Sequence, residues 1–205
     1  MGGPEYLPRP GINVKTQSSV GQFQNLGRIA FMAALIAAGA YLTVHVGQIP
    51  LSFQEVFICL GGLALGPRRG VLVVLLYLLA GALGLPVFVG GKGGPAAFIG
   101  PTGGYMAGFI LLGLCAGIGG RLATKGLPDG TDLPAVRLIP ALLGCCLGML
   151  PVYAFGAARL MQILQTDLSA ALVVGVWPFL PFIPLKLVLA VLLWRTLRRR
   201  GLVPQ

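Results

Sequence analysis

The chain has 205 residues, 56% of them hydrophobic and only 10% charged, with a mean hydropathy of +0.88 and a net charge of +10. That composition excludes an ordinary water-soluble domain and describes a polytopic membrane protein. Nucleic acid is excluded as a partner too, because the basic residues sit at the ends of apolar segments rather than on a wettable face with aromatic or polar neighbours.

In chain order, residues 1–27 are polar and carry Pro4, Pro8 and Pro10 before any long apolar run begins. They are expected to form a disordered cytoplasmic tail with no cleavable signal peptide. Residues 28–200 then hold apolar stretches of spanning length, predicted at 28–46, 53–65, 71–83, 104–120, 136–155 and 182–197. "GPRRG" at 66–70 turns the chain between the second and third spans, both of which are short. A loop rich in glycine and proline, "GLPVFVGGKGGPAAFIGPTGGY", joins the third to the fourth. A flexible linker would be polar, whereas this loop keeps Val87, Phe88, Val89, Phe98 and Ile99 among its glycines, as a loop that packs closely around something would. The sixth span opens with Pro178, Pro181 and Pro184, at a helix start where proline is tolerated. The predicted fold class is all-α, a six-helix transmembrane domain with both termini cytoplasmic.

The charges test this count independently of hydropathy. With the N-terminus inside, twelve basic residues face the cytoplasm: Arg9, Lys15, Arg28, Arg68, Arg69, Arg121, Lys125, Arg137, Arg195, Arg198, Arg199 and Arg200. Only Lys92, Arg159 and Lys186 face outside. Adding or deleting a span would scramble this bias, so the net charge is mainly the orientation signal, with attraction to anionic membrane lipid as a by-product. The outer connections hold the glycines, prolines, aromatics and isolated charges, so the outer half is where a ligand would be met.

Catalysis is poorly served. One histidine, five acidic residues and four serines form no recognisable nucleophile and base pair, and neither HExxH nor GxSxG occurs. "GGKGG" at 90–94 lacks the Ser or Thr and the spacing of a phosphate-binding loop, so no nucleotide is expected there. The cysteines Cys59, Cys115, Cys145 and Cys146 lie in apolar stretches without metal or disulfide spacing and read as small core residues. No catalytic residue, metal or cofactor is expected, and any uphill movement would draw its energy from a partner.

A few polar residues stand out. His45 reads as an interfacial structural residue. Gln54 and Glu55 follow "IPLS" at the mouth of a short span, where a carboxylate is either an exposed helix cap or part of a polar cavity. Lys186 begins the sixth span, either as a lysine snorkelling to the headgroups or as an ammonium aimed into an outward-facing pocket to hold an anion. Lys92 would clamp the same ligand or lie in solvent. On the first span Ala30, Ala34 and Ala38 share one face and Ala33 and Ala37 an adjoining one, a small-residue surface on which another helix can dock.

Several stretches together resemble BioY, the biotin-binding S component of energy-coupling factor transporters. They are "IPLSFQ" at 49–54, "LALGPRRG" at 63–70, "YLLAGALGLPVF" at 77–88 and above all "GPTGGY" at 100–105. The resemblance implies six membrane helices in the plasma membrane of a bacterium, with a pocket open to the outside and roofed by the loops after helices 1, 3 and 5. It also implies docking of the first helix on a transmembrane coupling subunit that binds two ATPases. Biotin has a polar ureido ring, an apolar thiophane ring and a carboxylate. On that reading Gln54 and the Thr102 region supply hydrogen bonds, Phe53, Tyr77, Phe88 and Tyr105 supply apolar walls, and Lys186 supplies the cation. Gly91 and Gly103 let the loop backbone approach the ligand. The sequence departs from the family at Ile183, where members commonly carry an aspartate three residues before the lysine, and Asp167 or Glu55 would have to replace it. Other readings are the same fold with another small anionic vitamin, a scaffold protein that binds no solute, and, last, an intramembrane enzyme.

Overall fold

The computed structural model describes residues 14–46, 49–128 and 131–203, with side chains for 22–43, 51–128 and 131–203. The tail at 1–13, the basic side chains of Arg9 and Lys15 and the side chain of His45 lie outside the described residues. Seven α-helices are described: α1 Val14–Tyr41, α2 Gln54–Ala82, α3 Ala96–Ile99, α4 Gly103–Thr124, α5 Ala135–Leu164, α6 Leu168–Gly175 and α7 Ile183–Arg199. A short antiparallel hairpin, β1 Thr43–Val46 and β2 Ile49–Ser52, and a 3-10 turn at Trp177–Phe182 complete the chain.

Three boundaries correct the sequence reading. Helix α1 starts at Val14, so 14–27 is helical rather than part of a disordered tail. It ends at Tyr41 instead of continuing to 46, because the β-branched run Thr43, Val44 and Val46 enters a strand whose register pairs Thr43 with Ser52 and Val46 with Ile49. The fold is therefore dominated by helices but is not purely α. The region after 155 stays helical to Leu164, and a further helix, α6, precedes the proline-rich turn.

The predicted break at "GPRRG" is present. Gly66 has φ +80 and ψ 174, backbone that a residue with a Cβ rarely adopts, and Pro67 opens the second arm where its missing N–H costs nothing. The chain folds back there: a Cβ on Gly70 would lie 2.8 Å from the Gly62 Cα, although eight residues of straight helix would separate the two by about 12 Å. At about 1.5 Å per residue, the arms 54–65 and 67–82 are about 18 and 24 Å long. Five helical segments among the described residues are long and apolar enough to cross a membrane, and Gln54–Ala82 is one of them. It thus contains both the second and the third predicted spans.

Helix α4 is central, and glycine lets it be approached from two sides. Cβ atoms on Gly62 and Gly120 would lie 2.6 Å from Gly113 O and 2.8 Å from Leu63 O, so α4 and the bend of α2 meet backbone to backbone. On the other face Gly144 and Gly148 of α5 meet the α4 backbone at Cys115 and Leu112. This is the small-residue packing by which helices associate where there is no water to drive them together. Leucines such as Leu72, Leu75, Leu79, Leu111, Leu143 and Leu147 point outward, as a lipid-facing surface requires.

Apart from Lys92, Arg159 and Lys186, the basic residues described gather at the end of the bundle that holds the Gly66 bend, the α4–α5 loop and the end of α7. There Arg195 makes two hydrogen bonds to Asp132, at 3.0 and 3.3 Å, and Arg198 donates to Pro128 O at 2.9 Å. The hairpin, the 83–102 loop, α6 and the 3-10 turn occupy the opposite end.

Candidate functional site

The loop end holds a cavity of about 380 Å³, within the range of small-molecule sites. Its floor comes from the start of α2. Phe53 N–H donates to Gly39 O and Leu42 O, both at 3.1 Å, which anchors the hairpin to the end of α1 and aims Ser52, Gln54 and Glu55 inward. All three are buried polar residues. Glu55 accepts a 3.0 Å ion pair from Lys186, 131 residues away and 2% exposed.

The loop 83–102 forms one wall. Phe88 N–H donates to Lys92 O and Gly91 N–H to Phe88 O, both at 3.0 Å, a tight turn made feasible by Gly90 and Gly91 at φ +74 and +70. The turn lays Phe88 over Gly81, where any Cβ would run into the ring. Phe88 meets Tyr77 and Phe98 edge-on, at 5.4 and 5.5 Å between ring centres. Lys92 leaves the same turn exposed; it is one of the residues that line the cavity and has no ion-pair partner among the described residues. The far wall is aromatic. Tyr105 donates to Gly175 O at 2.8 Å, binding α4 to α6, and Tyr153 packs between Tyr105 and Phe179. The Tyr153 hydroxyl is buried at the cavity with no partner among the described residues.

Of the residues expected from sequence, Gln54, Phe88, Lys92, Thr102 and Tyr105 line the cavity. The others stand back from it. Tyr77 lies behind Gln54 and donates to its Oε1 at 3.0 Å, so it orients an amide instead of forming a wall. Phe53 is the residue before α2, half-buried in the core. Gly91 is the apex of the loop turn beside Tyr41, and Gly103 is the first residue of α4, close against the Phe98 backbone. Lys186 is neutralised by Glu55 rather than free for an anion. Of the two carboxylates weighed from sequence as neighbours for Lys186, Glu55 pairs with it and Asp167 does not: Asp167 caps α6, accepting from Ala170 N–H at 3.3 Å and from the Ser169 hydroxyl. Those bonds, the Ser169 one first, hold its carboxyl below the usual range.

Sequence reasoning missed Tyr153, Met106, Phe109 and Phe179 as cavity residues. Each lies in an apolar run with no local signal; Met106 and Phe109 on α4, Tyr153 on α5 and Phe179 in the 3-10 turn meet only through tertiary packing. Chemically, the cavity offers a carboxylate beside an ammonium, an oriented amide, a free phenol, aromatic walls and one unneutralised cation. It suits a small, partly apolar monoanion.

Comparison with known proteins agrees. The family model described as BioY matches residues 13–202. The chain belongs to the BioY family. Among its relatives, the biotin transporter BioY of Thermotoga maritima is 35% identical over 176 residues, 86% of this chain and 96% of the relative. The probable biotin transporter BioY of Pyrococcus horikoshii is 37% identical over 152 residues, covering 74% and 82%. A crystal structure of the S-component for biotin from an ECF-type ABC transporter superposes with a TM-score of 0.72 at 27% identity, over 92% of this chain and 95% of that one. The overall fold is thus shared with that S-component over nearly the whole chain.

Proposed function

We propose that this protein is the biotin-binding membrane subunit of an energy-coupling factor importer. It is a transport protein, not an enzyme, and biotin is its cargo rather than a cofactor. The observation that carries the assignment is the charge arrangement of the loop-end cavity, a closed Glu55–Lys186 pair at depth and an unpaired Lys92 on the wall, in a member of the BioY family. A carboxylate beside an ammonium, flanked by Gln54, matches the N–H and C=O edges of a ureido ring. The thiophane ring fits among Phe88, Phe109 and Phe179, and the ligand carboxylate meets Lys92. The carboxylate role assigned to Lys186 from sequence thus passes to Lys92.

The two arms of α2 count as two crossings, giving six in all, with the basic end and both termini in the cytoplasm of a bacterium and the cavity facing out. The positive-inside bias supports this orientation. Ala30, Ala34 and Ala38 are exposed on α1 whereas Ala33 is buried, so the exposed three form the face offered to a coupling subunit, which in turn binds two ATPases.

Equilibrium binding of labelled biotin and of its uncharged amide tests the assignment. Wild-type protein binds biotin more tightly than the amide, and Lys92→Ala removes the difference by weakening biotin alone, about tenfold. Binding of neither compound would leave the scaffold reading, and equal affinity in the wild type would reject the Lys92 subsite.

A further inference from the structure

A second cavity, of about 310 Å³, lies at the opposite end of the bundle, under the Gly66 bend. It is lined by Arg68, Arg69 and Arg121 and floored by Leu63, Ala64 and Leu65. The Arg121 Nη2 hangs 3.8 Å from the point a Gly66 Cβ would occupy, so guanidiniums from two helices converge over one hollow. Four other arginines at this end are engaged, Arg195 and Arg199 with Asp132, Arg198 with Pro128 and Thr131 carbonyls, and Arg137 with Lys125 O, while Arg28 and Arg200 do not line the hollow. Among the described residues, Arg68, Arg69 and Arg121 have no acceptor. The helix ends that meet at Gly66 present opposed dipoles, so the field in the hollow is that of the guanidiniums. Setting the orientation of the chain needs arginines at this end of the bundle, but not their convergence on a cavity.

We propose that this pocket holds the phosphate of an anionic phospholipid headgroup. Planar guanidiniums bind phosphate oxygens through paired hydrogen bonds, and basic pockets between membrane helices are headgroup sites. A lipid is favoured over free phosphate by what adjoins the pocket. Its floor is apolar, and Leu72, Leu75 and Leu79 on α2 and Ile118 and Leu122 on α4 run outward from it as exposed strips that fit acyl chains. The proposal does not depend on the identity of the cargo.

Native mass spectrometry of the purified protein, offered phosphatidylglycerol or phosphatidylcholine, tests it. Wild-type protein retains phosphatidylglycerol selectively. The variant Arg68→Gln/Arg69→Gln/Arg121→Gln retains about tenfold less, while Lys125→Gln/Arg137→Gln/Arg200→Gln, which removes equal charge from the same end, retains it as the wild type does. Should the pocket triple fail to fold, Arg121→Gln alone is read in its place and lowers retention in the same direction. Equal loss in both triples, or equal retention of both lipids, overturns the proposal in favour of diffuse attraction. Displacement of the lipid by millimolar inorganic phosphate overturns it in favour of a soluble-phosphate site.

Discussion

Glu55 and Lys186 lie 3.0 Å apart and are 9% and 2% exposed, so each ion depends on the other. Removing one partner strands a buried charge, and Lys186→Ala is expected to destabilise the protein by about 3–5 kcal/mol. The pair Glu55→Gln/Lys186→Met recovers much of that stability, because no ion is left unpaired, yet still binds biotin poorly. A double-mutant cycle read by thermal unfolding and by biotin binding checks both halves. Tyr153 behaves differently, since its hydroxyl has no partner among the described residues. Tyr153→Phe leaves the melting temperature unchanged or raised, and lowers biotin affinity by about fivefold if the ligand completes that hydrogen bond. Gln54, Glu55 and Lys186 stood out in the sequence because polar groups in apolar spans are costly. Tyr153 did not, because nothing in "PVYAFG" distinguishes a cavity tyrosine from a packed one.

At the level of elements, glycine placement decides what can touch what. A side chain on Gly117 would collide with the backbone of Pro67, which cannot move aside, so Gly117→Leu is expected to cost about 3 kcal/mol and to separate α4 from the α2 bend. Gly81→Ala instead drives the Phe88 ring off α2; it lowers ligand affinity more than stability, which parallel unfolding and binding measurements distinguish. The end of α7 is latched by Asp132, whose carboxyl is held below the usual range by its hydrogen bond to Arg195 and the charges of Arg195 and Arg199. A depressed folded value means the latch stabilises above the ordinary carboxylate range, near pH 4, and is lost as pH falls through the folded value. The effect is small because Asp132 is at the surface, and Asp132→Asn removes this part of the pH dependence of unfolding. Hydropathy located each apolar arm and "GPRRG" located the bend. The hairpin at Thr43–Ser52 went unseen because "TVHV" and "IPLS" continue an apolar run, and only pairing between them reveals strands. The start of α1 at Val14 was hidden by its polar composition.

The whole molecule is a bundle with two unlike ends, one rich in arginine with a small basic hollow, the other rich in glycine and aromatic residues with the larger cavity. That polarity was visible in the sequence, since the distribution of lysine and arginine follows chain order and needs no tertiary contact to read. The cavity itself was not, because its walls come from four separate stretches, 52–55, 88–109, Tyr153 and Phe179. The account's central claim is that biotin occupies this loop-end cavity. The most direct measurement is saturation binding of labelled biotin to purified wild-type protein and to Ala97→Trp, which fills the hollow from the α3 wall without removing a charged group. The account predicts one biotin per chain in the wild type and loss of saturable binding in Ala97→Trp at an unchanged melting temperature. Undiminished binding in a folded Ala97→Trp protein would contradict it.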